Sequence, residues 1–108
     1  MSEKIRIEIF IPDPPNIAYR NLLQELAAEL SLAFGGCTEI PASGKYHSLD
    51  GFICSDKITI LFSDAPLVWE QDRGVLREYI EFLRRAVQQA LPSEESILVS
   101  AYPVSHVE

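Results

Sequence analysis

The feature that most constrains the fold is a run of alternating isoleucines near the start of the chain. Residues 4–11 read KIRIEIFI, so an isoleucine returns at every second position. Because successive side chains of a strand point to opposite faces of its sheet, this alternation predicts a half-buried strand with the isoleucines on the core face. Pro12 cannot extend the hydrogen-bonded ladder, so we expect the strand to stop there.

Two longer segments carry apolar residues at helical spacing. The first, 15–33, has Asp13 as its predicted N-cap and is followed by two consecutive glycines that suit a helix end. The second, 73–91, is closed by Pro92. Each segment combines one apolar stripe with a charged opposite side, which predicts two amphipathic helices.

The segment between the helices, 37–63, is the least regular part of the sequence. Asp50-Gly51 is typical of a turn, and KITILFS at 57–63 has the composition of a strand. We predict two antiparallel strands here, at about 47–54 and 57–63, preceded by an irregular excursion in which 37–41 is either a loop or a short strand. A last strand is predicted at 97–104.

The predicted order is therefore strand, helix, strand, strand, helix, strand. Right-handed crossovers would place both helices on one face of a four-stranded antiparallel sheet, with the first and third strands at its centre. We predict an α+β protein with a ferredoxin-like β-α-β-β-α-β sandwich. The 108 residues suit one domain, 1–108, and a composition that is 47% hydrophobic is ordinary for a globular chain.

This arrangement leaves one face of the sheet without helices, which we call the open sheet face. If Ile58, Ile60 and Phe62 point toward the core, alternation assigns an apolar patch to the open face. The predicted binding patch consists of Phe10, Leu61, Leu98 and Tyr102. Such a patch needs cover, which could be a second copy of the chain, a small-molecule ligand or the loop 64–71 with Trp69. We favour a homodimer, because two-fold pairing is the commonest oligomeric arrangement.

The charge of the chain disfavours several kinds of partner. Sixteen acidic residues against nine basic ones give a formal charge of −7, whereas a nucleic-acid binder needs a basic patch. An anionic membrane surface is disfavoured for the same reason. The start of the sequence has no apolar signal-peptide region, and no apolar run is long enough for a membrane span, so we expect a cytoplasmic protein.

Few residues are candidates for catalysis, metal binding or ligand binding. Cys37 and Cys54 match no zinc or redox spacing and are predicted to be reduced core residues. No metal site and no cofactor are predicted, because neither histidine has a ligand at a typical spacing. A small-molecule pocket could use Tyr46, His47, Tyr102 and His106 as hydrogen-bond donors. Of these, Tyr46, His47 and His106 are the catalytic candidates, and whether the chain is an enzyme stays open.

Four short segments resemble a known pattern. They are FGGCTEIPASGKY at 34–46, Gly51-Phe52-Ile53, KITILF at 57–62 and ESILV at 95–99. Together they resemble small bacterial and cyanobacterial proteins of uncharacterised families with a ferredoxin-like fold, over most of residues 5–104. The resemblance implies that fold and a dimer, and it brings no activity and no catalytic residue.

Three hypotheses of function follow, in order of preference. The first is a small oligomerising binding or regulatory module that uses the open sheet face. The second is a cofactor-free enzyme or ligand-binding protein with a pocket near the tyrosines and histidines named above. The third is a metal-binding protein that uses Cys37 and the histidines.

Overall fold

Six elements follow one another in the predicted order. In a computed structural model, which describes residues 2–13, 17–92 and 98–107, they are β1 (Ser2–Pro12), α1 (Ile17–Phe34), β2 (Thr38–His47), β3 (Ile53–Ala65), α2 (Trp69–Ala90) and β4 (Leu98–His106). The strands form one antiparallel sheet in the order β2-β3-β1-β4. The ferredoxin-like fold is therefore confirmed, with β1 and β3 at the centre of the sheet. The predicted starts of the first helix at 15 and of the last strand at 97 lie outside the described residues.

The core lies between the sheet and the two helices. The four isoleucines of β1 are completely buried, as their alternation predicts. They pack with the apolar stripes of both helices and with the inner side of the outer strand β4. The helix residues concerned are Tyr19, Leu22, Leu26, Leu30, Leu76, Leu83 and Val87, and β4 adds Val99 and Ala101.

The irregular excursion predicted before the middle strands is wrong, and so is the strand predicted at about 47–54, since the hairpin turn between β2 and β3 lies inside that range. Residues 38–47 form a regular strand that pairs with β3 along its whole length, from Thr38 opposite Phe62 to His47 opposite Ile53. The turn at Asp50-Gly51 is confirmed: Gly51 has a φ of +84°, and its N–H donates to the Ser48 carbonyl at 3.0 Å. A positive φ favours glycine, so this residue fixes where the hairpin reverses.

The hairpin is longer than the rest of the sheet. β1 pairs with β3 only as far as Ile58, which lies opposite Pro12. Residues 43–57 therefore extend past β1. Apart from a hydrogen bond that the Asp13 N–H donates to the Lys57 carbonyl at 2.9 Å, their two strands pair with each other. We call this segment the hairpin arm. Its turn carries Leu49 and Phe52, two large apolar side chains that are exposed.

The predicted orientation of β3 is also wrong. Leu61 is completely buried beneath the helices, together with Ser63 and Ala65, so it does not belong to the open sheet face. The reason is that hydrogen bonds allow polar residues to occupy this buried side. Thr59 is bonded to the Tyr19 hydroxyl, and Ser63 donates to the Gly36 carbonyl at 2.5 Å.

Candidate functional site on the open sheet face

The reversed orientation of β3 makes the open sheet face more apolar than expected. Since side chains alternate, the face consists of alternate residues from each strand. These are Thr38, Ile40 and Ala42 of β2, Ile58, Ile60, Phe62 and Asp64 of β3, Lys4, Arg6, Glu8 and Phe10 of β1, and Leu98, Ser100, Tyr102, Val104 and His106 of β4. The face divides into an apolar row and a polar cluster.

The apolar row crosses all four strands in register. Ile40 lies opposite Ile60, Ile60 opposite Phe10, and Phe10 opposite Leu98. Directly opposite residues on one face of a sheet have side chains in contact distance, so these four form a continuous apolar band. Its outer members are the most exposed, with 41% of Ile40 and 55% of Leu98 accessible. Phe10 and Leu98 of the predicted patch therefore lie together.

The polar cluster begins at the Arg6–Asp64 pair. The Arg6 guanidinium donates from Nε to Oδ1 of Asp64 at 2.8 Å and from a terminal nitrogen to Oδ2 at 3.0 Å. Its central carbon also stands 4.3 Å from the centre of the Phe62 ring, a cation–π contact. The hydrogen bonds from Arg6 are the main cause that lowers the pKa of Asp64, and burial opposes them. Arg6 is thus held by a bidentate partner and by a neighbouring ring.

His106 joins the same carboxylate. Its Nε2 lies 2.8 Å from Oδ2 of Asp64, across the strand β1 that separates β4 from β3. The side chains of His106 and Asp64 are 38% and 15% exposed. The sequence did not indicate this contact, because 42 residues separate the two positions.

Tyr102 completes the cluster from the edge strand. Its hydroxyl donates to Oε1 of Glu8, and this hydrogen bond is the main cause that raises the pKa of Tyr102. Glu8, like Asp64, therefore has its charge engaged by a neighbour on the same face. Both carboxylates of the cluster are therefore hydrogen-bonded within the chain.

The four residues proposed for a small-molecule pocket do not converge. Tyr46 and His47 lie in the hairpin arm, and alternation places them on opposite faces of it. Tyr102 and His106 lie at the other end of the sheet. Along β3, the distance from Ile53, opposite His47, to Asp64, the partner of His106, is about 35 Å at the usual strand rise. The structure therefore does not bring His47 and His106 together in one pocket.

The two cysteines differ in position. Both are free thiols. Cys37 packs against the core, as predicted, and burial is the main cause that raises the pKa of its thiol, which disfavours a nucleophilic thiolate. Cys54 lies in the hairpin arm opposite Tyr46, so its predicted place in the core is wrong. Within residues 2–13, 17–92 and 98–107, no three His, Cys, Asp or Glu side chains are grouped for a metal ion.

Comparisons with known proteins address the fold. The sequence matches no protein-family model, and it matches no curated protein. Among solved structures, it is similar to a divalent cation tolerance protein (Cut A1) from Thermus thermophilus, with a TM-score of 0.57 and 15% identity over 99% of this chain and 88% of that one. The two chains share a fold. CutA1 from Oryza sativa is similar at a TM-score of 0.52 and 14% identity, over 98% of this chain and 84% of the other. At these identities the likeness establishes the fold alone.

The structure also bears on membrane insertion. In the part of the chain that it describes, no helix is both long and apolar enough to cross a bilayer.

Proposed function

We propose that this chain is a small self-associating binding module in which a second copy covers the open sheet face to form a homodimer. The observation that carries the proposal is the apolar row from Ile40 to Leu98, which crosses the whole sheet and ends in half-exposed side chains. Apolar surface of this kind gains about 25 cal/mol for each Å² removed from water.

The charges of the open sheet face favour a second copy as its partner. The alternate positions of this face, continued into the hairpin arm, carry two cations, Lys4 and Arg6, and three carboxylates, Glu8, Asp56 and Asp64. Most of the formal charge of −7 therefore lies elsewhere on the molecule. Two identical acidic chains repel each other least when they approach through their most nearly neutral face.

Three charged groups of this face, Arg6, Glu8 and Asp64, are hydrogen-bonded in a way that suits them to burial. Asp64 is bonded by Arg6 and His106, and Glu8 is bonded by Tyr102, all within one chain. Burying a charge is costly unless it is paired and hydrogen-bonded. A partner therefore needs to supply no counter-charge for these three groups, and the apolar row of a second copy supplies an apolar surface.

Two prolines favour contact through the face rather than through a sheet edge. The edge strands β2 and β4 contain Pro41 and Pro103 respectively. Each proline removes a hydrogen-bond donor from a free edge, which disfavours the addition of another strand there. The predicted loop 64–71 does not cover the face, because α2 already begins at Trp69, and both Leu67 and Trp69 pack against the core. The two free thiols suit a reducing compartment such as the cytoplasm.

A pair of matched leucine substitutions tests the proposal. Leu98 lies at the end of the apolar row, whereas Leu32 lies on α1, in the layer on the other side of the sheet, and is 87% exposed. We expect Leu98→Asp to weaken self-association at least about tenfold, because a charge would enter the apolar interface. Leu32→Asp adds the same charge and should leave association unchanged.

Sedimentation equilibrium over a range of concentrations gives the dissociation constants, and circular dichroism confirms that both variants are folded. Equal dissociation constants for the wild type and Leu98→Asp would overturn the proposal. A wild-type chain that stays monomeric would overturn it too, and would point to a ligand or a different protein as the partner of this face.

A further inference from the structure

We propose that a cavity on α2 binds a small aromatic carboxylate. The cavity has a volume of about 180 Å³ and is lined by one stripe of the helix, which consists of Trp69, Arg73, Leu76, Arg77, Ile80 and Glu81. Since the helices pack on the side of the sheet away from the open sheet face, the site is separate from the proposed interface and goes beyond the proposed function. The proposal is carried by the combination of an apolar floor with two arginines at the rim.

The floor of the cavity is apolar and is held in place by the core. Leu76 is 3% exposed, and Trp69 and Ile80 are partly buried against the same cluster of core side chains. An apolar cavity of about 150 Å³ is large enough to hold benzene. The cavity on α2 therefore has room for one aromatic ring, which would lie against the indole of Trp69.

Two arginines stand at the rim, about one helical turn apart. Arg73 and Arg77 are both exposed, and over residues 2–13, 17–92 and 98–107 neither makes an ion pair or a side-chain hydrogen bond. Side chains four residues apart are neighbours on a helix surface, so the two guanidiniums can reach one carboxylate. Because the planar fork of arginine donates two parallel hydrogen bonds to a carboxylate, this is the ligand group that suits the rim best.

The carboxylate of Glu81 also lines the cavity, but a third arginine engages it. Arg84 donates to Glu81 from Nε at 3.3 Å and from a terminal nitrogen at 3.1 Å. Glu81 is thus bonded to Arg84 and not to Arg77, which precedes it by four residues. The guanidinium of Arg77 therefore stays available to a ligand.

The other acidic side chains in this half of α2 lie outside the cavity. Asp72 accepts a hydrogen bond from the Val68 N–H at 2.8 Å, and neither Glu70 nor Glu78 is among the described residues that line the site. The lining side chains thus carry two guanidiniums against one carboxylate, although the whole chain has a formal charge of −7. A locally positive site favours an anion over a cation, and the apolar floor favours an aromatic ring over a small inorganic ion.

The fluorescence of Trp69, the only tryptophan of the chain, reports on the site directly. Titration with benzoate at neutral pH should change this fluorescence in a saturable way, with a dissociation constant on the order of 1 mM or below. Benzyl alcohol, which keeps the ring without the charge, and acetate, which keeps the charge without the ring, are the ligand controls. Each should bind at least about tenfold more weakly than benzoate.

Arginine substitutions test the two rim residues. We expect Arg73→Gln and Arg77→Gln each to raise the dissociation constant for benzoate about tenfold, since each removes a charge-assisted hydrogen bond. Arg20→Gln is the matched control, because Arg20 is exposed on α1 and its substitution removes the same charge from the other helix. This control should leave benzoate binding unchanged. Circular dichroism confirms that the variants are folded, and all three substitutions are at exposed positions.

A fluorescence change that rises linearly with the benzoate concentration and never saturates would overturn the inference. So would equal binding of benzoate and benzyl alcohol, or an equal loss of affinity in Arg20→Gln and Arg73→Gln. None of these results bears on the homodimer, because the open sheet face lies on the other side of the sheet from α2.

Discussion

Arg6 and Asp64 are joined by two parallel hydrogen bonds, at 2.8 and 3.0 Å, that connect the two central strands across the open sheet face. Both residues occupy directly opposite positions of β1 and β3. Fork-to-fork pairing of this kind adds geometric specificity as well as energy. The pair therefore fixes the register of the sheet centre while it neutralises charge on a face that would otherwise resist burial.

Replacing the carboxylate should destabilise the chain in a pH-dependent way. We expect Asp64→Asn to lower the free energy of unfolding by about 1–2 kcal/mol at neutral pH, since a charge-assisted bidentate contact is lost. The pKa of Asp64 is lowered in the folded state, so its contribution is present above the ordinary carboxyl range and is lost as the pH falls through the folded-state pKa. Urea denaturation from neutral pH to below about pH 4 would show the two curves converging.

The matched control for this substitution is Glu81→Gln. Glu81 pairs with Arg84 at 3.1 Å on the surface of α2, where both side chains are more than two-fifths exposed. Exposed pairs contribute little, so Glu81→Gln should leave stability nearly unchanged. Equal effects of the two substitutions would contradict the special position of the Arg6–Asp64 pair.

The orientation of β3 can be tested with two neighbouring residues. Leu61 is completely buried under the helices, whereas Ile60 lies on the open sheet face. We expect Leu61→Ala to cost about 2–5 kcal/mol in the free energy of unfolding, as usual for a large core residue. Ile60→Ala should cost the single chain about 1 kcal/mol and should weaken self-association. Denaturation at low protein concentration separates the two effects, and the reverse order of costs would contradict the orientation.

A hydrogen bond between the helices gives a further prediction. The Tyr79 hydroxyl donates to Oε1 of Glu29 at 3.0 Å, and its ring makes an edge contact with Phe34. Tyr79→Phe should lower stability by about 1 kcal/mol, because one partly buried hydrogen bond is lost. Burial, then the bond to Glu29, raises the pKa of Tyr79, so this contribution is present below about pH 10 and is lost above it. A penalty that persists undiminished in strong alkali would contradict this account.

The hairpin arm should open independently of the rest of the sheet. Beyond the bond of Lys57 to Asp13 at its base, its two strands pair with each other, and its turn exposes Leu49 and Phe52. Amide hydrogen exchange should therefore be faster in residues 43–57 than in the buried stretch of β1, which we expect to exchange only through global unfolding. Equal protection of both segments at low concentration would contradict the independent opening of the arm.

The sequence predicts the orientation of a strand where apolar residues alternate with polar ones. In β1 each isoleucine alternates with a more exposed residue, so the buried side is unambiguous. The stretch from Ile58 to Ala65 is apolar on both sides, and its polar inner residues Thr59 and Ser63 are satisfied by bonds to Tyr19 and Gly36. Those partners are distant in sequence, so hydrophobicity alone predicts the wrong orientation for this strand.

The candidate site was predictable only in part. Alternation in β1 and β4 correctly placed Phe10, Leu98 and Tyr102 on one surface. The bonds of Asp64 to Arg6 and His106 depend on strand register, which the sequence does not specify over separations of 58 and 42 residues. The sequence predicts β2 only in part, as a possible short strand at 37–41, because Pro41 and Gly44 weaken its strand character. Pairing with β3 along its whole length stabilises the full strand.

The mass of the chain in solution tests the central claim most directly. Sedimentation equilibrium near neutral pH should give a mass that rises with concentration toward about twice the 12.1 kDa of one chain. That result would support a second copy on the open sheet face. A mass of one chain at every concentration would contradict it.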